Sequence, residues 1–201
     1  MKNNDLTDFL LKIEELTRSG LKYSKDEYAI DNYKQLEAEV KSFLAKRDIV
    51  FEGENIFKRN IYPTPSVSVR SVIFSEDRKQ VLMVQERSDS RYSLPGGFAE
   101  LSLSPSESAL KEVYEEAGSK AEIVRLVAVL DRYKNLPTRS APEYIIAFEA
   151  KLVGKRHKPC FEILSTGYFP IDNLPPISSK NDPEQMRRII AAASNRETIF
   201  D

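Results

Sequence analysis

The sequence contains no tryptophan, a single cysteine, and no apolar stretch long enough to cross a bilayer. Without tryptophan, an aromatic cage for a cationic ligand has to come from tyrosine or phenylalanine. With Cys160 alone, no internal disulfide can form, which fits a reducing compartment. Its only nearby histidine in sequence is His157, so a passive thiol is expected rather than a nucleophile. The missing apolar run and the missing signal peptide speak against a membrane protein and for the cytoplasm. An excess of one charge is missing too: 30 Lys and Arg stand against 31 Asp and Glu, for a net charge of -1. A long polyanion is therefore not the expected partner, and without a basic stripe extended nucleic-acid contacts are not expected either. A local basic pocket for a diphosphate remains compatible with that balance. Internal repeats and low-complexity segments are absent as well. What remains is a chain of 201 residues, 41% hydrophobic, enough for one core and a small appendage.

The appendage reads as helical. Leu6, Phe9, Leu10, Ile13 and Leu16 form one apolar stripe, with Ser19-Gly20 as its expected stop. Ser24 and Glu27 have the spacing of a capping box for a second helix, whose stripe is Ile30, Tyr33, Leu36, Val40, Phe43 and Leu44. Such a pair needs another surface to bury its stripes, either the main domain or the same pair in a second subunit. A homodimer is the expectation. Phe51–Pro65, with Gly53, Pro63 and Pro65, reads as a connector, giving a hairpin over 1–58 and a main domain over 64–201.

The stretch around which the main domain is organised runs from Leu94 to Ser119. Pro95, Gly96 and Gly97 make a loop whose backbone can approach a ligand or ion closely. Ser104 is the expected N-cap of a short helix, with Pro105 at its first position and Glu107 completing a capping box. Ala109, Leu110, Val113, Tyr114 and Ala117 recur at helical intervals, and Gly118 supplies the stop. Glu112, Glu115 and Glu116 then share one flank, where like charges repel and weaken an isolated helix. A hard divalent cation reverses the sign of that cost. A solvated acidic face is the bland alternative; beside a Gly-Gly loop and a capped short helix, a metal site is the stronger reading.

These residues resemble the Nudix box, the loop–helix signature of enzymes that hydrolyse a nucleoside diphosphate linked to another group. Gly97, Glu112, Glu115, Glu116 and Gly118 stand at matching positions. Leu103 stands where the family has its first Glu, Lys111 replaces an Arg, and Ser119 replaces the closing apolar residue. Lys111 keeps the charge without the planar fork of Arg. The segment Ser19–Asp26 between two helices is similar to the N-terminal extension of one Nudix branch, which includes CDP-choline pyrophosphatase and relatives named ADP-ribose pyrophosphatases. That branch is similar too in its Leu-Pro-Gly-Gly and in its residues at the Leu103 and Lys111 positions.

The resemblance implies an α+β fold, an α/β/α sandwich with a mixed sheet, preceded by the helical hairpin. It implies Mg²⁺ or Mn²⁺ held by Glu112, Glu115, Glu116 and the Gly96 carbonyl, and water attack on a pyrophosphate. Family members draw a general base from a loop outside the box, where this chain carries Glu162; a box carboxylate, Glu115 or Glu116, is the alternative. CDP-choline and ADP-ribose both stand open as substrates, RNA-end processing is a third and weaker option, and a nucleotide-binding regulator without turnover is the reading from another class.

Elsewhere the alternation predicts strands over Ser66–Phe74, Val81–Gln85, Ala121–Tyr133, Glu143–Leu152 and Thr166–Phe169, and a last helix entered at Asp182-Pro183. Asn135–Pro142 is expected to be a loop covering the substrate. Arg70 is a candidate diphosphate contact, because guanidinium grips phosphate oxygens in pairs; a surface strand Arg is the alternative. Gly97 is placed with it as a substrate contact. Tyr92 and Tyr144 are candidates for stacking on a substrate, with packing as the commoner fate of such rings.

Overall fold

Residues 3–46, 64–100, 102–132, 142–154 and 157–201 are described by the computed structural model. The chain opens with α1 (Asn3–Tyr23) and α2 (Glu27–Lys46). α1 runs through Ser19-Gly20, so the expected stop is corrected. Gly20 serves packing instead: the Tyr33 ring of α2 lies where its Cβ would stand. The Ser24–Glu27 capping box is corrected as well. Asp26 is the cap, its Oδ1 accepting from the Ala29 N–H at 2.8 Å, while Ser24 Oγ accepts from the Asp26 N–H at 3.2 Å. Leu10, Val40 and Leu44 form the buried centre of this pair, flanked by Leu6, Ile13 and Phe43. Phe9 and Leu16, expected in the same stripe, are 58% and 52% exposed. Glu14 is buried in its place and pairs with Arg18 one turn on. The expected connector, apart from Thr64 and Pro65, and the expected covering loop, apart from Pro142, lie outside the described residues, as does Tyr133.

The second compact unit comprises Ser66–Arg132 and Glu143–Asp201. Its strands are β1 (Ser66–Val72), β2 (Gln80–Glu86), β3 (Tyr92–Ser93), β4 (Ala121–Asp131), β5 (Glu143–Leu152), β6 (Ile163–Pro170) and β7 (Ile199–Phe200), with helices α3 (Pro105–Glu116) and α4 (Pro183–Ser194). A mixed sheet has the order β1-β5-β4-β7, with β1 parallel and β4 antiparallel to β5. A smaller antiparallel sheet has the order β3-β2-β6. Successive strand residues point to opposite faces, and this sorts the core. Val72, Val81 and Met83 join Met186, Ile189 and Ile190 of α4. Their neighbours Ile73 and Leu82 join Val113 of α3 and Ala117. Helices therefore cover both faces of the sheets, the α/β/α arrangement the sequence implies. β1 stops at Val72, short of the expected Phe74, which leaves the strand to bridge Val81; β6 begins earlier than expected, at Ile163. Among the described residues no helix is long and apolar enough to cross a membrane.

The box helix forms as its sequence dictates. Ser104 Oγ accepts from the Glu107 N–H at 3.3 Å, and Glu107 Oε2 accepts from the Ser104 N–H at 2.8 Å. Gly118, at φ +65°, ends the helix in a conformation that only glycine enters without strain.

Candidate active site

The loop Pro95-Gly96-Gly97 is stitched along β1. The Pro95 carbonyl accepts from Ser71 N–H at 2.9 Å, the Gly97 carbonyl from Val69 N–H at 2.8 Å, and Ala99 N–H donates to the Val67 carbonyl at 2.8 Å. A Cβ on Gly96, whose φ is +154°, would collide with the Val69 carbonyl; one on Gly97 would collide with the Glu112 carboxylate. The glycines thus bring the backbone against both β1 and the box helix. Gly96 N–H donates to Glu116 Oε2 at 2.8 Å.

Glu112 and Glu116, one turn apart on α3, present their carboxylates to this loop. Burial, the Glu112 charge and the Glu86 charge push Glu116 up to about 8, against the opposing pull of the Gly96 N–H and Arg70. Glu112 is raised as well, by burial and by Glu115. Arg70 of β1 is 8% exposed, so the surface-strand alternative is set aside. Its guanidinium donates from Nη1 to the Val69 carbonyl at 2.7 Å, and from Nε and Nη2 to Asn181 Oδ1 at 3.3 and 3.2 Å. Burial lowers its affinity for a proton, and so does the neighbouring charge of Arg132; Glu143, Glu116 and Glu112 oppose them.

Glu115 stands apart from its two neighbours. Both its oxygens bond Lys111 Nζ, at 2.8 and 2.9 Å, and Lys111 also bridges to Glu100 at 2.8 Å. The substitution at this box position therefore ties two carboxylates with a point charge. Among the described residues no three Asp, Glu, His or Cys side chains converge as a group able to hold a metal. Ser119, in the closing box position, is buried and donates to the Gly154 carbonyl at 3.1 Å.

Of the remaining candidates, Glu162 lies on the exposed turn before β6, where its backbone carbonyl accepts from Arg87 N–H at 2.8 Å. Tyr92 packs edge-on against Phe169 with ring centroids 4.8 Å apart, the commoner fate of such a ring. Tyr144, 46% exposed on β5, stands between Val67 of β1 and Asp131 of β4.

Two residues near the carboxylates escaped the sequence reading. Glu86 is buried at the end of β2, accepting from Ser93 Oγ at 2.8 Å and from Lys180 Nζ at 2.7 Å. A register shift between Gln85 and Glu86 sets its direction, and strand periodicity carries no sign of it. Asn181 reaches Arg70 across 111 positions of sequence, which no local pattern encodes.

Glu112 and Glu116 suit a divalent cation only of the kind that completes its shell with water and substrate phosphates, since no third side-chain ligand converges with them among the described residues. The donors are hard carboxylate oxygens, one of them a buried group that resists ionisation, and Mg²⁺ binds through one or two carboxylates together with substrate phosphates.

A Nudix domain model matches residues 64–193. A protein of Bacillus subtilis (strain 168) described as putative ADP-ribose pyrophosphatase YjhB is 35% identical over 202 residues, covering 94% of each chain. The crystal structure of an ADP-ribose pyrophosphatase from Streptococcus suis 89-1591 is 34% identical at a TM-score of 0.59, over 69% of this chain and 100% of that one. That of a UDP-X diphosphatase is 26% identical at 0.63, over 100% and 99%. Loop, box helix and matched domain coincide along the chain, which belongs to the Nudix hydrolase family.

Proposed function

We propose that this pyrophosphohydrolase cleaves the P–O–P bond of a nucleoside diphosphate joined to a small group, releasing a nucleoside monophosphate and the phosphorylated group. The observation that carries the reading is the meeting of Glu112, Glu116 and buried Arg70 at the glycine loop. Two relatives at about one-third identity are named for ADP-ribose, so that substrate is the first choice. UDP-linked compounds and CDP-choline follow.

Nudix hydrolases generally use divalent metal ions, and in this chain Glu112 and Glu116 would hold Mg²⁺ or Mn²⁺. When bound, the ion supplies positive charge to the phosphate oxygens and acidifies water. The chain's own residues do the rest. Gly96 N–H fixes the Glu116 carboxylate in place, Arg70 brings N–H donors to the diphosphate, and the glycines let the loop close against β1 and the Glu112 carboxylate. Glu115, held by Lys111, sets the charge balance beside the site.

Purified protein tested against ADP-ribose, UDP-sugars and CDP-choline, with and without Mg²⁺, decides the matter. Metal-dependent release of a monophosphate is expected, first from ADP-ribose. Binding without products would replace this reading with that of a regulator. Glu162→Gln with full turnover would leave the proton transfer to a box carboxylate. The hairpin over 1–58 is proposed as a dimerisation element beside the 64–201 hydrolase domain, acting in the cytoplasm.

A further inference from the structure

Arg70 is a conflicted residue. It is buried, and Glu112, Glu116 and Glu143 all pull on its charge. Left to itself, a guanidinium in that position would turn to the nearest carboxylate and form a bidentate pair. Such a pair would occupy the donors a diphosphate needs and neutralise the oxygens a cation needs. The structure holds a different arrangement. Asn181 Oδ1, a neutral acceptor, takes both the Nε and the Nη2 hydrogens, and Nη1 bonds the carbonyl of Val69. A guanidinium has five N–H groups; the three bonds leave two for a phosphate.

Asn181 is itself tightly located. It precedes Asp182, the N-cap of α4, and its N–H donates to the Ser178 carbonyl at 3.0 Å. Asp89 Oδ2 accepts from Ser178 Oγ at 2.9 Å, Ser179 N–H at 2.9 Å and Ser179 Oγ at 3.1 Å. The Lys180 carbonyl accepts from Arg132, and its ammonium bonds Glu86. A segment pinned this often presents its next side chain at a fixed place.

We propose that Asn181 is a positioning residue for Arg70: a neutral acceptor that holds the guanidinium off the metal-binding carboxylates and keeps its remaining N–H groups free for the substrate's diphosphate. The proposal rests on the reading of Arg70 as a diphosphate contact. It assigns to the entry of α4 a part in substrate binding, although that segment shares no sequence with the box.

The test uses the full chain with Mg²⁺ and imidodiphosphate, a non-cleavable diphosphate, whose Kd is read by calorimetry; kcat and KM on ADP-ribose are read beside it. Asn181→Ala is expected to weaken imidodiphosphate binding and raise KM about tenfold, as loss of a hydrogen bond to a charged group does, with kcat within about twofold. Asn181→Asp, which keeps the geometry but makes the acceptor a carboxylate that competes with the diphosphate for the guanidinium, is expected not to restore binding, and full restoration would overturn the need for a neutral acceptor. Arg70→Ala weakens binding, and Asn181→Ala added to it changes nothing further, because the two act as one unit. Asn181→Leu, similar in size and without the acceptor, replaces Asn181→Ala if thermal melting shows that variant unfolded. Independent, multiplying effects of the two substitutions, or unchanged binding in Asn181→Ala while Arg70→Ala loses it, overturn the positioning role and leave the Arg70 reading standing. Unchanged binding in Arg70→Ala overturns that reading and this proposal with it.

Discussion

Glu116 is kept where a carboxylate is costly: buried, beside Glu112 and Glu86, with one backbone N–H in compensation. An amide at that position would relieve the repulsion. Glu116→Gln is therefore expected to lower turnover by at least about a hundredfold while raising the melting temperature of the metal-free protein by a few degrees. A melting temperature that falls instead would mean the carboxylate stabilises the fold, and the fit of a cation would lose its ground. Gly97 makes the complementary case. Gly97→Ala would push the Glu112 carboxylate aside, and about a tenfold loss of turnover is expected with only about 1 kcal/mol of stability in chemical denaturation. These residues were legible in sequence because their chemistry is local: two glutamates one helical turn apart and glycines a short loop upstream. Asn181 and Glu86 were not, since one is set by a long-range contact and the other by a register shift.

Among the elements, the cap of the box helix was read correctly from its short spacing, whereas in the hairpin both the Ser24–Glu27 cap and the Ser-Gly stop gave way to other contacts. Ser104, Pro105 and Glu107 define the start of α3 by contacts within four residues, and the observed cap is the expected one. Ser104→Ala is expected to cost about 1 kcal/mol in urea unfolding, and an unchanged midpoint would show that tertiary contacts alone hold that turn. In the hairpin, by contrast, Ser-Gly looked like a stop, yet Gly20 sits within α1 because a tyrosine ring needs the space. A glycine's reason is invisible until its neighbour is known. Gly20→Ala is accordingly expected to destabilise the protein by about 1–3 kcal/mol in chemical denaturation.

At the scale of the whole molecule, the two compact units differ in what holds them. In the hydrolase unit, Asp89 ties the loop after β2 to the entry of α4. Burial opposes ionisation there, but N–H donors from Ser179 and Arg91 and the hydroxyls of Ser178 and Ser179 outweigh it, lowering Asp89 from 3.8 to about 2. A depressed carboxylate stabilises the fold fully above its unfolded value and loses that contribution as pH falls through its folded value. Stability is thus expected to drop between about pH 4 and pH 2, and Asp89→Asn should flatten that part of the curve in acid titrations followed by circular dichroism. The hairpin, with Phe9 and Leu16 turned outward, is expected to meet its like: a dimer at micromolar concentration in light scattering, or else the proposed assembly is wrong. The sheet has a further consequence for insertions and deletions. Because the glycine loop runs hydrogen-bonded beside β1, and side chains alternate across a strand, adding or removing one residue before Arg70 would invert the parity of everything after it. The guanidinium would swing from the α4 side to the α3 side, so a change of length by one residue in this strand would undo the site as surely as the loss of Arg70 itself.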